Sequence, residues 1–174
     1  MFFFGKLGET MSEPMDLNNV DFHEIARRGD TEVMAAFLQA GLEPDLLNEQ
    51  GYSLLMIAAY NQQRGMVDLL LERGADPNRP DPMGNTPLMS TCFKGYADVA
   101  EQLLEKGADP NARNGALATA LMFAAMFNQP EIAELLIAKG AELEVVDARG
   151  LTAVQLAQSH GYTELAARLS QLAI

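Results

Sequence analysis

Three methionines, Met56, Met89 and Met122, recur at intervals of 33 residues. Thioether sulfur is a soft ligand, so such a column could in principle hold a soft metal such as Cu(I). A fixed period, however, puts the three in equivalent places of successive units, and packed helical units stand roughly 10 Å apart. Sulfurs at that spacing cannot share one ion, so the column reads as core packing by a flexible side chain. Other chemistry-bearing residues are no better placed. His23-Glu24 lacks the second histidine of an HExxH zinc motif, and His23 and His160 fall at opposite ends of the chain. There is no Walker loop, no GxGxxG opening a helix and no GxSxG elbow. Glu142 and Glu144 read as solvated turn residues rather than an acid–base pair. Cys92, the lone cysteine, falls at a small-residue position and reads as a buried, inert thiol. Neither catalysis nor a bound metal or cofactor is expected.

The elements that carry these residues follow from the same period. Steps of 33 residues from Gly51 land on Gly84, Leu117 and Gly150, and one step back lands on Asn18. Each mark opens a similar stretch, and a period of this length marks a solenoid whose units cannot bury their apolar faces alone. In the unit opened by Gly84, Thr86 is a helix N-cap and Pro87 a first helical residue, which needs no N–H donor. Gly95 ends that helix. Val99, Leu103 and Leu104 recur at helical spacing in a second helix, Gly107 ends it, and Asp109-Pro110-Asn111 is turn chemistry. The pattern predicts helix pairs at 21–28/31–39, 54–61/65–72, 87–94/98–106, 120–127/131–138 and 153–160/163–172.

Thr86-Pro87-Leu88, the Ala58-Ala59 and Ala124-Ala125 pairs, and the Gly-Ala-Asp/Glu at Gly74, Gly107 and Gly140 carry a resemblance to ankyrin repeats. The resemblance runs from Asn18 to Ile174 in one register. It implies an all-α solenoid of five helix-pair units, each with a protruding hairpin loop, and a protein-binding role without catalytic residues. The units starting near 150 and 18 look like the C- and N-terminal caps, which would make a complete array of five. The methionine column departs from the family, which usually has His there, partnering the Thr of its own unit. That departure puts the local hydrogen bonding of each turn in doubt, not the fold.

Residues 1–17 precede the repeats and are expected to form a flexible arm, with Met11 as an alternative start. Phe2-Phe3-Phe4 is too short for a signal core and lacks a basic leader; its rings could instead dock on something. No run of about 20 apolar residues exists to span a membrane. The net charge of −12 argues against nucleic acid and anionic membranes as partners. It serves solubility or selects a basic partner. One cysteine excludes a disulfide within the chain and fits a reducing compartment, so a cytoplasmic monomer is expected.

By the resemblance, the two residues after each small-residue pair end the first helix and face a concave groove. They are Arg27-Arg28, Tyr60-Asn61, Phe93-Lys94, Met126-Phe127 and Ser159-His160. A row of large side chains at Tyr60, Phe93, Met126 and Phe127 reads as an interface, with Asn61, Lys94 and His160 beside it. The loop tips, with Tyr52, Met83, Asn85 and Arg149, are the second candidate surface. The third tip, with Gly115, Ala116 and Ala118, is bare of recognition side chains. The leading expectation is a non-catalytic adaptor or inhibitor that binds another protein. The alternative, suggested by small bacterial members of the family, is an accessory to a haem enzyme such as catalase. Tyr52, Tyr60, Tyr96 or His160 would then supply an axial ligand.

Overall fold

The computed structural model describes residues 20–172; the arm expected at 1–17 lies outside them. Ten helices follow in five pairs: α1 (Phe22–Arg28) and α2 (Thr31–Gln39), α3 (Leu54–Tyr60) and α4 (Arg64–Glu72), α5 (Pro87–Lys94) and α6 (Ala97–Glu105), α7 (Ala120–Met126) and α8 (Pro130–Ala138), α9 (Ala153–Ser159) and α10 (Thr163–Leu172). Among the described residues there is no strand, only one isolated bridge between Leu47 and Ser53. The first helices stack on one another in chain order as an inner row, and the second helices form an outer row behind them. The expected spans hold to within one residue. Three outer helices, α4, α6 and α8, begin one residue earlier than the pattern predicts.

Helices of seven or eight residues are marginal in isolation. Side-chain caps and packing hold them. Ser53 Oγ accepts from Met56 N–H at 3.1 Å, and Thr86 Oγ1 from Met89 N–H at 3.4 Å. Thr119 and Thr152 repeat the arrangement with Met122 and Gln155. Only the Thr152 turn closes a full capping box, because the Gln155 carboxamide reaches back to the Thr152 N–H at 2.9 Å. A thioether in place of the carboxamide has no strong acceptor to offer, so the methionine turns keep half of the box. Their side chains go inward instead, and Met56, Met89 and Met122 are all buried.

The core is continuous along the stack. Leu70, Leu103 and Leu136 are fully buried, and each carbonyl accepts the N–H of the alanine after the helix-ending glycine, at 3.0, 2.9 and 2.9 Å. This six-residue loop-back satisfies carbonyls that the helix end leaves free. Ala58, Ala59, Thr91, Cys92, Ala124 and Ala125 are completely buried on the inner row, where small side chains let neighbouring helices approach. Burial pushes the Cys92 thiol up to about 12, so it stays protonated. Outside the helices the units are stitched by side chains. Asn78 Oδ1 accepts from Asp109 N–H at 2.7 Å while its Nδ2 donates to Gly107 O at 3.1 Å. Asn111 repeats both bonds one unit on.

Candidate functional site

The hairpin tips are built by one residue per unit. Asn48, Asp81, Asn114 and Asp147 stand 33 residues apart. Each accepts with one side-chain oxygen from the N–H groups two and four residues later, at 2.8 to 3.1 Å. These Asx turns fix the tips. Successive tips are also bonded to each other, Gly115 N–H to Met83 O and Ala148 N–H to Ala116 O, both at 2.9 Å. Gly84 is needed at this contact. Its φ of +84° is left-handed, and a Cβ there would lie 2.8 Å from Gly115 N.

Inner helices and tips together enclose a hollow of about 430 Å³, lined among others by Tyr52, Ile57, Tyr60, Met83, Phe93 and Phe123. The two surfaces that the sequence suggests separately therefore meet in one place. Tyr60, Phe93 and Phe127 are 43%, 41% and 39% exposed, and Met83 is 72% exposed. The rings form a connected row. Tyr60 and Phe93 stack with centroids 6.4 Å apart, and Phe127 meets Phe93 edge-on at 4.7 Å. Phe123 continues the row beside Phe127 at 6.4 Å.

The remaining candidates are placed as follows. Met126 holds the position equivalent to Tyr60 and Phe93, but it is half-buried and packs on the core. The residue after it, Phe127, is the exposed C-cap of α7 and continues the aromatic row. Asn61 spends its amide on its own helix end, donating to Ile57 O at 2.8 Å. Lys94 lies with Nζ 4.8 Å from the Tyr60 ring centre and 5.8 Å from that of Tyr96, within cation–π range. Asn85 lines the hollow, but its side chain is engaged with Asp81 and Asn114. His160 is exposed and stacks on Tyr162, and it is not among the residues that line the hollow. Arg149 folds back on Asp147, with Nε and Nη2 at 3.0 and 2.8 Å from Oδ2. Burial would raise the Asp147 carboxyl, but hydrogen bonds from Leu151 N–H and from the side chain and N–H of Arg149, with the guanidinium charge, hold it below its ordinary value.

Sequence reasoning missed Ile57, Ser90 and Phe123 as part of this surface. They sit one helical turn before Tyr60, Phe93 and Phe127, and the 3.6-residue period could have found them. Ser90 Oγ donates to Met56 Sδ at 2.9 Å, tying adjacent units beneath the hollow. It also missed Leu117 at the third tip, which is 46% exposed with φ +58° at the position held by Gly51, Gly84 and Gly150 in three other units.

Charge is divided between the rows. In the inner row α3, α7 and α9 carry none, α5 carries only Lys94 and α1 carries Glu24, Arg27 and Arg28, whereas α4, α6 and α8 carry acids along their lengths. The acidic character therefore belongs to the outer row and loops, and the groove is close to neutral.

Ankyrin repeat models match residues 22–114, as ankyrin repeats in three copies, and residues 103–157, as ankyrin repeats in many copies. The chain belongs to the ankyrin repeat family. Comparison with curated proteins finds no match. Ankyrin repeats are in general protein–protein interaction modules and typically lack catalysis. No helix among the described residues is long and apolar enough to cross a membrane.

Proposed function

We propose that this protein is a non-catalytic adaptor or inhibitor that binds a partner protein across the aromatic row and the first and second hairpin tips, at Tyr52 and Met83. The observation that carries the reading is the row itself. Tyr60, Phe93 and Phe127 touch one another yet each keeps more than a third of its surface in water. Rings needed only for the fold would be covered by the neighbouring unit. Rigid aromatic area with few torsions to freeze is what binding hot spots use. The neutral groove favours a partner segment with apolar anchors over one chosen by basic charge.

A haem-accessory role is the second reading. Of the tyrosines and histidine that could ligate iron, Tyr52 and Tyr60 line the hollow and Tyr96 and His160 do not. A haem titration followed by absorbance separates it from the first, because a tyrosinate-bound haem gives a saturable spectrum that depends on Tyr52 or Tyr60.

The test of the leading reading is site-specific photo-crosslinking in the native host. A photoreactive residue at Phe93 should trap a discrete protein adduct. The same residue at Glu101 on the outer row should not. Equal adducts from both positions, or none from Phe93, would refute the assignment.

A further inference from the structure

The column of turn-building residues changes its chemistry at the hollow. Asn48 and Asn114 are amides, while Asp81 and Asp147 are acids. Asp147 has its own cation: Arg149, two residues on, donates from Nε and Nη2 to Oδ2. Asp81 has Met83 at that place. Its carboxylate accepts from Met83 N–H, Asn85 N–H and Asn85 Nδ2 at 2.8, 2.8 and 3.0 Å, all uncharged donors. No cation among the described residues forms an ion pair with it. The fold thus shows the same carboxylate twice, once neutralised by an arginine and once not.

Asp81 is also the one charged residue that lines the hollow. On the tip side its neighbours there are Tyr52 and Met83, both exposed. On the helix side the lining is Ile57, Phe93 and Phe123, without charge. Lys94 does not fill the need, because its Nζ lies by the Tyr60 and Tyr96 rings and it is not part of the lining. A guanidinium suits this setting better than an ammonium. It is planar and weakly hydrated, and it can bond a carboxylate while lying on aromatic or apolar surface.

We propose that the partner's docking segment carries an arginine that seats on Asp81, as Arg149 seats on Asp147, with an apolar residue close by it against Phe93. This rests on the partner-binding reading and narrows it. A single arginine among apolar anchors, rather than a basic stretch, then sets the choice of partner. The selection also works by exclusion, since a segment without the cation would cover the Asp81 carboxylate and leave it without a counter-charge.

The test uses the full chain labelled with 13C at the methionine methyls. Met83 lines the hollow, and Met34, buried in the first unit, is the internal control. The probes are capped peptides of one Phe and one Arg with up to two glycines between them, in both orders, each with a counterpart in which citrulline replaces the arginine. Citrulline keeps the shape and removes the charge. At least one arginine peptide should move the Met83 signal saturably while Met34 stays. Its citrulline counterpart should bind at least about tenfold more weakly. In Asp81→Asn, which keeps the turn as Asn48 and Asn114 do, the two peptides should bind alike. No saturable shift of Met83, or equal binding of arginine and citrulline peptides to the parent, would overturn the proposal. A lysine peptide that binds as tightly as the arginine one would overturn the choice of arginine. N-acetylarginine amide binding as tightly as the best peptide would overturn the segment and leave a small-molecule site. A protein trapped at Phe93 whose affinity is unchanged by Asp81→Asn would sink the arginine alone, whereas no adduct at Phe93 sinks the partner reading itself.

Discussion

The edge of the Phe127 ring stands against Phe93 at a centroid distance of 4.7 Å and an interplanar angle of 86°, although the two residues are not equivalent within their units. Phe93 ends the body of α5, while Phe127 caps α7 one position later. The 33-residue register is unbroken, but the ring-bearing position moves by one residue where the aromatic row passes to the fourth unit. The equivalent residue, Met126, stays with the core. An edge-to-face pair of this kind contributes about 0.5–1.5 kcal/mol beyond its area, so it also holds the two rings in a fixed orientation.

The core register is tested at Leu103. It is fully buried at the seam between units, with equivalents Leu70 and Leu136 on either side. Leu103→Ala should cost about 2–5 kcal/mol in denaturant melts. A loss below about 1 kcal/mol would mean the seam can collapse into the space, contrary to a tightly packed stack.

Leu117 tests backbone strain at the third tip. Its left-handed φ of +58° matches positions held by Gly51, Gly84 and Gly150, and its side chain is largely exposed. A non-glycine residue there is strained by roughly 1–2 kcal/mol, a gain for glycine that is partly offset by the larger conformational entropy glycine loses on folding. Leu117→Gly should therefore raise stability, by up to about 1 kcal/mol. A lower melting temperature for the variant would show that the leucine side chain outweighs the strain.

The capping box predicts a local asymmetry among the turns. Thr152→Ala removes the hydroxyl that accepts from Gln155 N–H, while the bond from the residue-152 backbone N–H to Gln155 Oε1 is retained. The expected loss is about 1 kcal/mol, read as faster amide exchange through α9 than through α5. Uniform exchange across the stack would argue that packing alone holds α9.

Asp147 gives a pH signature. Its carboxyl titrates below the ordinary value in the fold, so its contribution is present above an unfolded pKa near 3.9 and is lost as pH falls through the lower folded value. Asp147→Asn keeps the turn, as Asn48 and Asn114 do, but loses the Arg149 ion pair. The variant should be less stable than the parent at neutral pH, and denaturant melts should show the gap closing below about pH 4. A gap that stays constant into acid would mean Asp147 acts through geometry alone.

The period made the helix pairs, the buried Leu70, Leu103 and Leu136, and the inward methionines legible from the sequence, because each depends on spacing along one unit. The candidate groove was legible only in part. Tyr60, Phe93 and Phe127 follow from the residue pairs that end the inner helices, but that Met126, the register equivalent of Tyr60 and Phe93, packs on the core while Phe127 stays exposed is seen only in three dimensions. Asn85 and Asn61 look like free polar contacts in sequence, and only three-dimensional contacts show their amides engaged with Asp81, Asn114 and Ile57 O. The union of groove and tips in one hollow depends on how the hairpins lean over the inner row, which no local pattern encodes.

The central claim is that the aromatic row binds rather than folds. The most direct measurement compares the Phe93→Ala/Phe127→Ala double variant with the parent, both for affinity toward the protein trapped at Phe93 and for melting temperature. Loss of aromatic anchors worth about 2 kcal/mol or more should weaken binding at least about 30-fold. The melting temperature should fall by only a few degrees, since the rings are already partly in water and only their mutual contact is lost. Unfolding of the double variant, or full retention of affinity by a folded one, would contradict the account.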